Sequence, residues 1–189
     1  MTRVGRPRDA RVDEQIVVAT LAEIEERGFA GASIESIAAR VGVGKATIYR
    51  RWPNREALLR FVAEQVTDAV EVGDTGDLRK DLLAVFEPLA AQFYVGGAAR
   101  LMPAMIAEAA RDESMRELLH GLVQERRQPA VDAVERARSR GELKRGVVAE
   151  DVVDLIAGSF LYRFLLLGQP LGPDVARKAI DAVLDGVLS

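Results

Sequence analysis

Five side chains able to bond to a polyanion fall within one short stretch of this chain: Lys45, Thr47, Tyr49, Arg50 and Arg51 in "GVGKATIYRRW", Gly42 to Trp52. An arginine fork can grip a guanine edge or a phosphate through two N–H groups, and lysine and tyrosine can bond phosphate oxygens. Alanine or a threonine methyl can touch a thymine methyl. No other chemistry is written as densely in the chain. There is no cysteine, and His120 is the single histidine. "ELLH", Glu117 to His120, has the Glu-x-x-His spacing of di-iron bundles, but such sites need two copies and a second histidine does not exist. His120 therefore reads as a half-exposed helix residue. With no phosphate-binding glycine loop and no serine elbow, the expectation is a non-enzyme with no cofactor and no metal.

The formal charge of the chain is −3, which as a total argues against nucleic acid. It is unevenly placed. Residues 1–60 hold 11 Lys+Arg and 8 Asp+Glu, giving +3, and the remainder holds 15 and 21, giving −6. A basic N-terminal third on an acidic body is the asymmetry expected when one part alone approaches phosphates. "GRPR" at Gly5–Arg8 reads as an extended arm whose Arg6 and Arg8 enter a minor groove or lie on phosphates. The longest apolar run, "FLYRFLLLG", is too short to span a bilayer and carries Arg163, and "MTRVGRPRD" has no hydrophobic signal core. A cytoplasmic protein that does not enter membranes is expected.

The elements that position these groups are helices. Ala, Leu, Glu, Arg and Val recur at helical spacing, and no β-branched alternation suggests a sheet. The fold class is all-α, about nine helices. Val17, Leu21 and Ile24 stripe a first helix that Gly28 stops. Ser33 caps a short second helix whose Ile34, Ile37, Ala38 and Val41 face inward. Gly42-Val43-Gly44 is a tight turn, Lys45–Trp52 a third helix, and "PNREALL" opens a fourth. Two short helices joined by a three-residue glycine turn match the helix-turn-helix spacing. At roughly 100° per residue, an inward Ile48 places Trp52 within about 40° of it and Ala46 and Arg50 about 160° away, with Lys45, Thr47 and Tyr49 flanking that outward strip. Ser33 and Arg55, at the starts of the second and fourth helices, are placed for backbone phosphates, with Arg51 beside them. The domain boundary is set at residues 1–55 and 56–189.

Longer helices follow near 77–95, 100–110, 112–140 with a kink at Pro129, 149–167 and 173–188. The last two are apolar over much of their circumference and so require burial on several sides. Phe86, Phe93, Tyr94, Met102, Met105, Met115, Leu119 and Tyr162 are large or adaptable side chains that line a cavity or simply fill a core. Arg163, inside an apolar run, is expected to pair with an acid such as Asp154 at a subunit interface, the alternative being that it is aimed into a cavity.

From "GRPRD" through "RGFAGASIESIAARVGVGKATIYRRWPNREALL", residues 1–60 resemble the DNA-binding domain of the TetR family of transcriptional regulators. The C-terminal segment, including "YRFLLLGQPL", resembles more loosely the domain found behind "YRRWP" in one branch of that family. The resemblance implies a homodimer packed through its last two helices, one helix-turn-helix per subunit, and a helical domain that binds a small-molecule effector. It implies a repressor released from a palindromic operator by that effector, the alternative being a DNA-binding dimer with no ligand switch. By position, Lys45, Thr47, Tyr49 and Arg50 are recognition-helix contacts and Ser33 and Arg55 phosphate contacts. The family usually carries serine where this chain has Gly44, so one hydroxyl is missing.

Overall fold

The structure is a computed structural model and describes residues 10–66, 73–95, 97–172 and 174–188. Among the described residues there are nine α-helices and one π-helical turn, and no strand. The chain divides into two compact units, residues 1–65 and 66–189.

The first unit holds α1 (Ala10–Gly31), α2 (Ile34–Val41), α3 (Lys45–Tyr49) and α4 (Arg55–Gln65). Its N-terminal helix buries Ile16, Ala19, Thr20, Leu21, Glu23 and Ile24, so Leu21 and Ile24 face inward as expected while Ile16 takes the place expected of Val17, which is only half-buried. Two polar residues that the apolar pattern omits share the inward face. Thr20 donates its hydroxyl to the Ile16 carbonyl at 2.7 Å, and Glu23 is tied to α2. Gly28 breaks the helix as expected, at φ 70° and ψ 175°, a conformation closed to residues with a Cβ. Phe29 then turns into the core.

Ser33 caps α2 and forms a reciprocal box with Ser36. The Ser33 hydroxyl accepts from the Ser36 N–H at 3.0 Å, and the Ser36 hydroxyl accepts from the Ser33 N–H at 3.1 Å. Ser33→Ala is expected to lower the stability of this unit by about 1 kcal/mol in urea unfolding. The α2 helix ends on Gly42 at φ 77°, where the Val43 N–H reaches back to the Ala38 carbonyl at 3.0 Å and the Gly42 N–H to Ala39 at 3.2 Å. The fourth helix belongs to this unit, ten residues beyond the expected boundary, because it packs on α1 and its Phe61 ring lies 4.8 Å from Trp52.

The second unit holds α5 (Leu78–Val95), α6 (Ala98–Ala109), α7 (Glu113–Ser139), α8 (Ala149–Leu161), the π turn Tyr162–Leu166 and α9 (Asp174–Val187). Its core is built from one face each of α5, α7, α8 and α9, with Leu82, Ala133, Val134, Ile156, Ile180 and Leu184 fully buried. The seventh helix runs as one element through Pro129. In α9 the outward positions are Arg177, Lys178, Ala182 and Asp185, so it is amphipathic and not apolar all round. The eighth helix differs, since Leu155, Tyr162 and Leu166 remain exposed on it and its π turn. No single helix among the described residues is long and apolar enough to cross a membrane.

Candidate nucleic-acid interface

The third helix is shorter than expected. It spans Lys45–Tyr49, with Arg50 and Arg51 in the turn that follows. Helical hydrogen bonding nonetheless continues, since the Arg50 N–H bonds Ala46 at 3.1 Å and the Trp52 N–H bonds Ile48 at 2.9 Å. The angular relation of Arg50 to Ile48 is thus kept. Ile48 is fully buried and Trp52 nearly so, while Lys45, Ala46, Tyr49 and Arg50 are exposed and Thr47 is half-buried. One side of Lys45–Arg50 is fixed in the core and the other presents two cations, a phenol and a methyl group. Gly44 precedes the helix at φ −69° with no side-chain cap and open space around it, so the missing serine hydroxyl reflects composition and not crowding.

Not every cation expected to face outward does so. The Arg51 guanidinium is ion-paired with Asp13, and both side chains are mostly covered. Arg55 donates from Nη2 to the Phe29 carbonyl and stacks over the Phe29 ring with its Cζ 4.8 Å from the centroid. These two partners lie 38 and 26 residues away in sequence, and no local pattern signals them. The Ser33 hydroxyl is half-buried in its cap. Arg6 and Arg8 lie outside the described residues.

A clasp that the sequence did not suggest holds α2 against α1. Arg40 donates from Nε to buried Glu23 at 2.7 Å and from Nη1 to Glu26 at 3.0 Å, and Arg27 lies 3.6 Å from Glu23. A Ser36 hydrogen bond and then the Arg40 guanidinium hold the Glu23 carboxyl below the usual glutamate range, against the cost of its burial. The Arg40 hydrogen bond does the same for Glu26, and the two carboxylates raise Arg40 in return. Lowered carboxylate values mean stability that is present above the ordinary glutamate value of 4.5 and lost as pH falls through the folded-state values. The first unit should therefore unfold more readily below about pH 4.5 in circular-dichroism melts, and Glu23→Gln should remove much of that acid sensitivity.

The residues expected to line a cavity or fill a core differ in burial. Phe86, Phe93, Met105 and Met115 are buried, Met102 and Leu119 half-buried, and Tyr94 and Tyr162 exposed. Phe86 packs edge-on to Phe160 at 5.7 Å, and Phe93 packs edge-on to Phe164 at 5.2 Å. Within the single chain Arg163 does not pair with Asp154. It lies exposed, while Asp154 receives Arg127 at 2.8 Å, because α7 brings that arginine alongside α8. Among the described residues no group of three or more His, Cys, Asp or Glu side chains is arranged to hold a metal ion.

The model for bacterial regulatory proteins of the tetR family matches residues 16–62, and that for the tetracyclin repressor-like C-terminal domain matches residues 72–183. The chain belongs to the TetR family. Within it, the chain is 30% identical over 185 residues to the uncharacterized HTH-type transcriptional regulator YdeS of Bacillus subtilis, covering 97% of this chain and 93% of that protein. It is 31% identical over 160 residues to the DNA-binding transcriptional repressor TetR of Mycobacteroides abscessus, covering 83% of each. The crystal structure of the TetR family transcription regulator SCO0332 superposes with a TM-score of 0.69 at 27% identity, over 93% of this chain and 98% of that one. In this TetR-family regulator the helix-turn-helix is α2–α3, and α3 carries the exposed strip of Lys45, Ala46 and Tyr49.

Proposed function

We propose that the protein is a dimeric, cytoplasmic, non-catalytic repressor that reads a palindromic operator with two copies of its α2–α3 head and is released by a small molecule bound in its second unit. The observation that carries the reading is the division of α3 into a buried side, Ile48 with Trp52 behind it, and an exposed side bearing Lys45, Ala46, Tyr49 and Arg50. Such a strip suits a major groove, with Arg50 on a guanine edge, Lys45 and Tyr49 on flanking phosphates and the Thr47 methyl against a thymine. Ser33 at the start of α2 and the arm residues Arg6 and Arg8 add backbone contacts. Repression follows the name of the Mycobacteroides relative. Ligand binding would favour a separation of the two heads that no longer matches successive major grooves, roughly 34–36 Å apart.

The effector site is proposed beside Met102 and Leu119, half-buried side chains on α6 and α7, the packed pair of helices that also bury Met105 and Met115. The methionines and the leucine there can repack around an apolar guest. A dimer without a ligand switch is the second reading, and the edge-packed Phe86 and Phe93 favour it, since they serve as core and not as cavity lining. Native mass spectrometry of the protein as purified separates the two. A bound small molecule whose addition abolishes duplex binding supports the switch, and a ligand-free protein unmoved by hydrophobic compound screens supports the second reading.

A further inference from the structure

We infer that Arg51 and Arg55 are positioning residues that fasten the reading helix to α1 and do not neutralise operator phosphates; the inference rests on the DNA-binding reading above. By type and place both look like phosphate ligands, since they follow α3 directly in the basic third of the chain. Both are already engaged. Arg51 is bonded to Asp13, with each side chain only 20% exposed. Swinging the guanidinium out to a phosphate would leave the Asp13 carboxylate partly buried, unpaired and close to a polyanion, which is unfavourable on each count. A cation already neutralised by a carboxylate also has little counter-ion exchange left to offer DNA.

Arg55 is held differently, by the carbonyl and the ring face of Phe29, which is buried directly after the Gly28 break in α1. Turning outward would forfeit the stacking and a charge-assisted hydrogen bond together. The two clasps brace α3 from both sides. Arg51 ties the turn after it to the first part of α1, and Arg55 ties the start of α4 to the end of α1. Ile48 and Trp52 fix the depth of the helix; the clasps fix its rotation, and with it the direction of Arg50. Lys45 and Arg50, by contrast, stand exposed.

The test compares wild type with Arg51→Gln, Asp13→Asn, their double variant, Arg55→Lys and Phe29→Leu. Affinity is measured on a selected operator and on a random duplex over a series of salt concentrations, at a temperature where melts show every variant folded. The clasp predicts that Arg51→Gln leaves the slope of log affinity against log salt unchanged. It should weaken operator binding on the order of tenfold, more than random-duplex binding, so that the preference shrinks. Asp13→Asn should lose as much, and the double variant no more than either single one. Arg55→Lys keeps the charge but should fail like Phe29→Leu, because lysine cannot reproduce the fork and the stack. A salt slope that falls by about 0.9 for each phosphate no longer neutralised would overturn the inference. So would an Asp13→Asn variant that binds as well as or better than wild type, an unchanged operator preference in Arg51→Gln, or an Arg55→Lys variant that behaves as wild type. A wild-type protein with no operator preference at all would overturn the DNA-binding reading itself, and is seen before any variant is made.

Discussion

Leu155→Glu is expected to turn the protein into a monomer and to lower operator affinity by about 10²- to 10⁴-fold, with no DNA-facing residue changed. The physical ground is the outward face of α8. Leu155, Tyr162 and Leu166 are 62%, 55% and 73% exposed. At roughly 100° per residue Tyr162 lies about 20° from Leu155, so they form one stripe that the π turn carries on to Leu166. The opposite side of the same segment is occupied, with Ile156 and Phe160 buried and Phe164 against Phe93. A contiguous apolar stripe on a surface helix marks an association site, and a second copy of the chain is the partner we propose. Leu161 is 38% exposed and flanks the stripe, which makes Leu155 the sharper site for a charge. A glutamate there would be buried without a partner in the dimer and harmlessly solvated in the monomer. Sedimentation beside a titration on a palindromic duplex checks the result. A Leu155→Glu protein that stays dimeric with wild-type affinity would remove this face from the dimer.

Arg50→Ala should relax the preference at one base pair in each half-site by about 1–3 kcal/mol, a loss of roughly 5- to 150-fold in discrimination. Arg50 is exposed, lies on the side of the helix opposite fully buried Ile48, and follows a helix whose hydrogen bonding continues through it. A guanidinium so placed can take guanine O6 and N7 together, and alanine leaves both unpaired. The effect should be local: one symmetric pair of positions changes while the rest of the preferred sequence is retained. A selection from random duplexes with the variant reads this directly. An identical preferred sequence would mean that Arg50 does not reach a base edge.

The helix-turn-helix was legible because its determinants are local. Ile48 and Trp52 are four residues apart, Gly42 is placed where the chain needs a positive φ, and Ser33 stands one residue before an apolar periodic run. The same locality made the later helices readable to within a few residues, down to the break near Leu167. What was not legible depends on partners distant in sequence. Arg51 finds Asp13 across 38 residues and Arg127 finds Asp154 across 27, and composition alone signals neither partner. Glu23 is another instance, since a buried acid inside an apolar stripe makes sense only with Arg40 of α2 beside it. The aromatic residues of α5 divide for a related reason. Phe86 and Tyr94 look alike as large aromatic residues on one helix, yet they lie about 80° apart at 100° per residue, so one is core and the other surface. Pro129 shows the limit of a single-residue rule, because the packing of α7 against α6 and α8 carries the helix through it.

Whether this chain reads DNA with α3 in two copies is decided by binding-site selection with the wild-type protein from a pool of random duplexes. The predicted product is an inverted repeat whose half-site centres are separated by one helical turn, roughly 34–36 Å, or a multiple of it, since each subunit presents one α3 strip to one major groove. A pool that shows no enriched sequence, or an enriched site without two-fold symmetry, would contradict it.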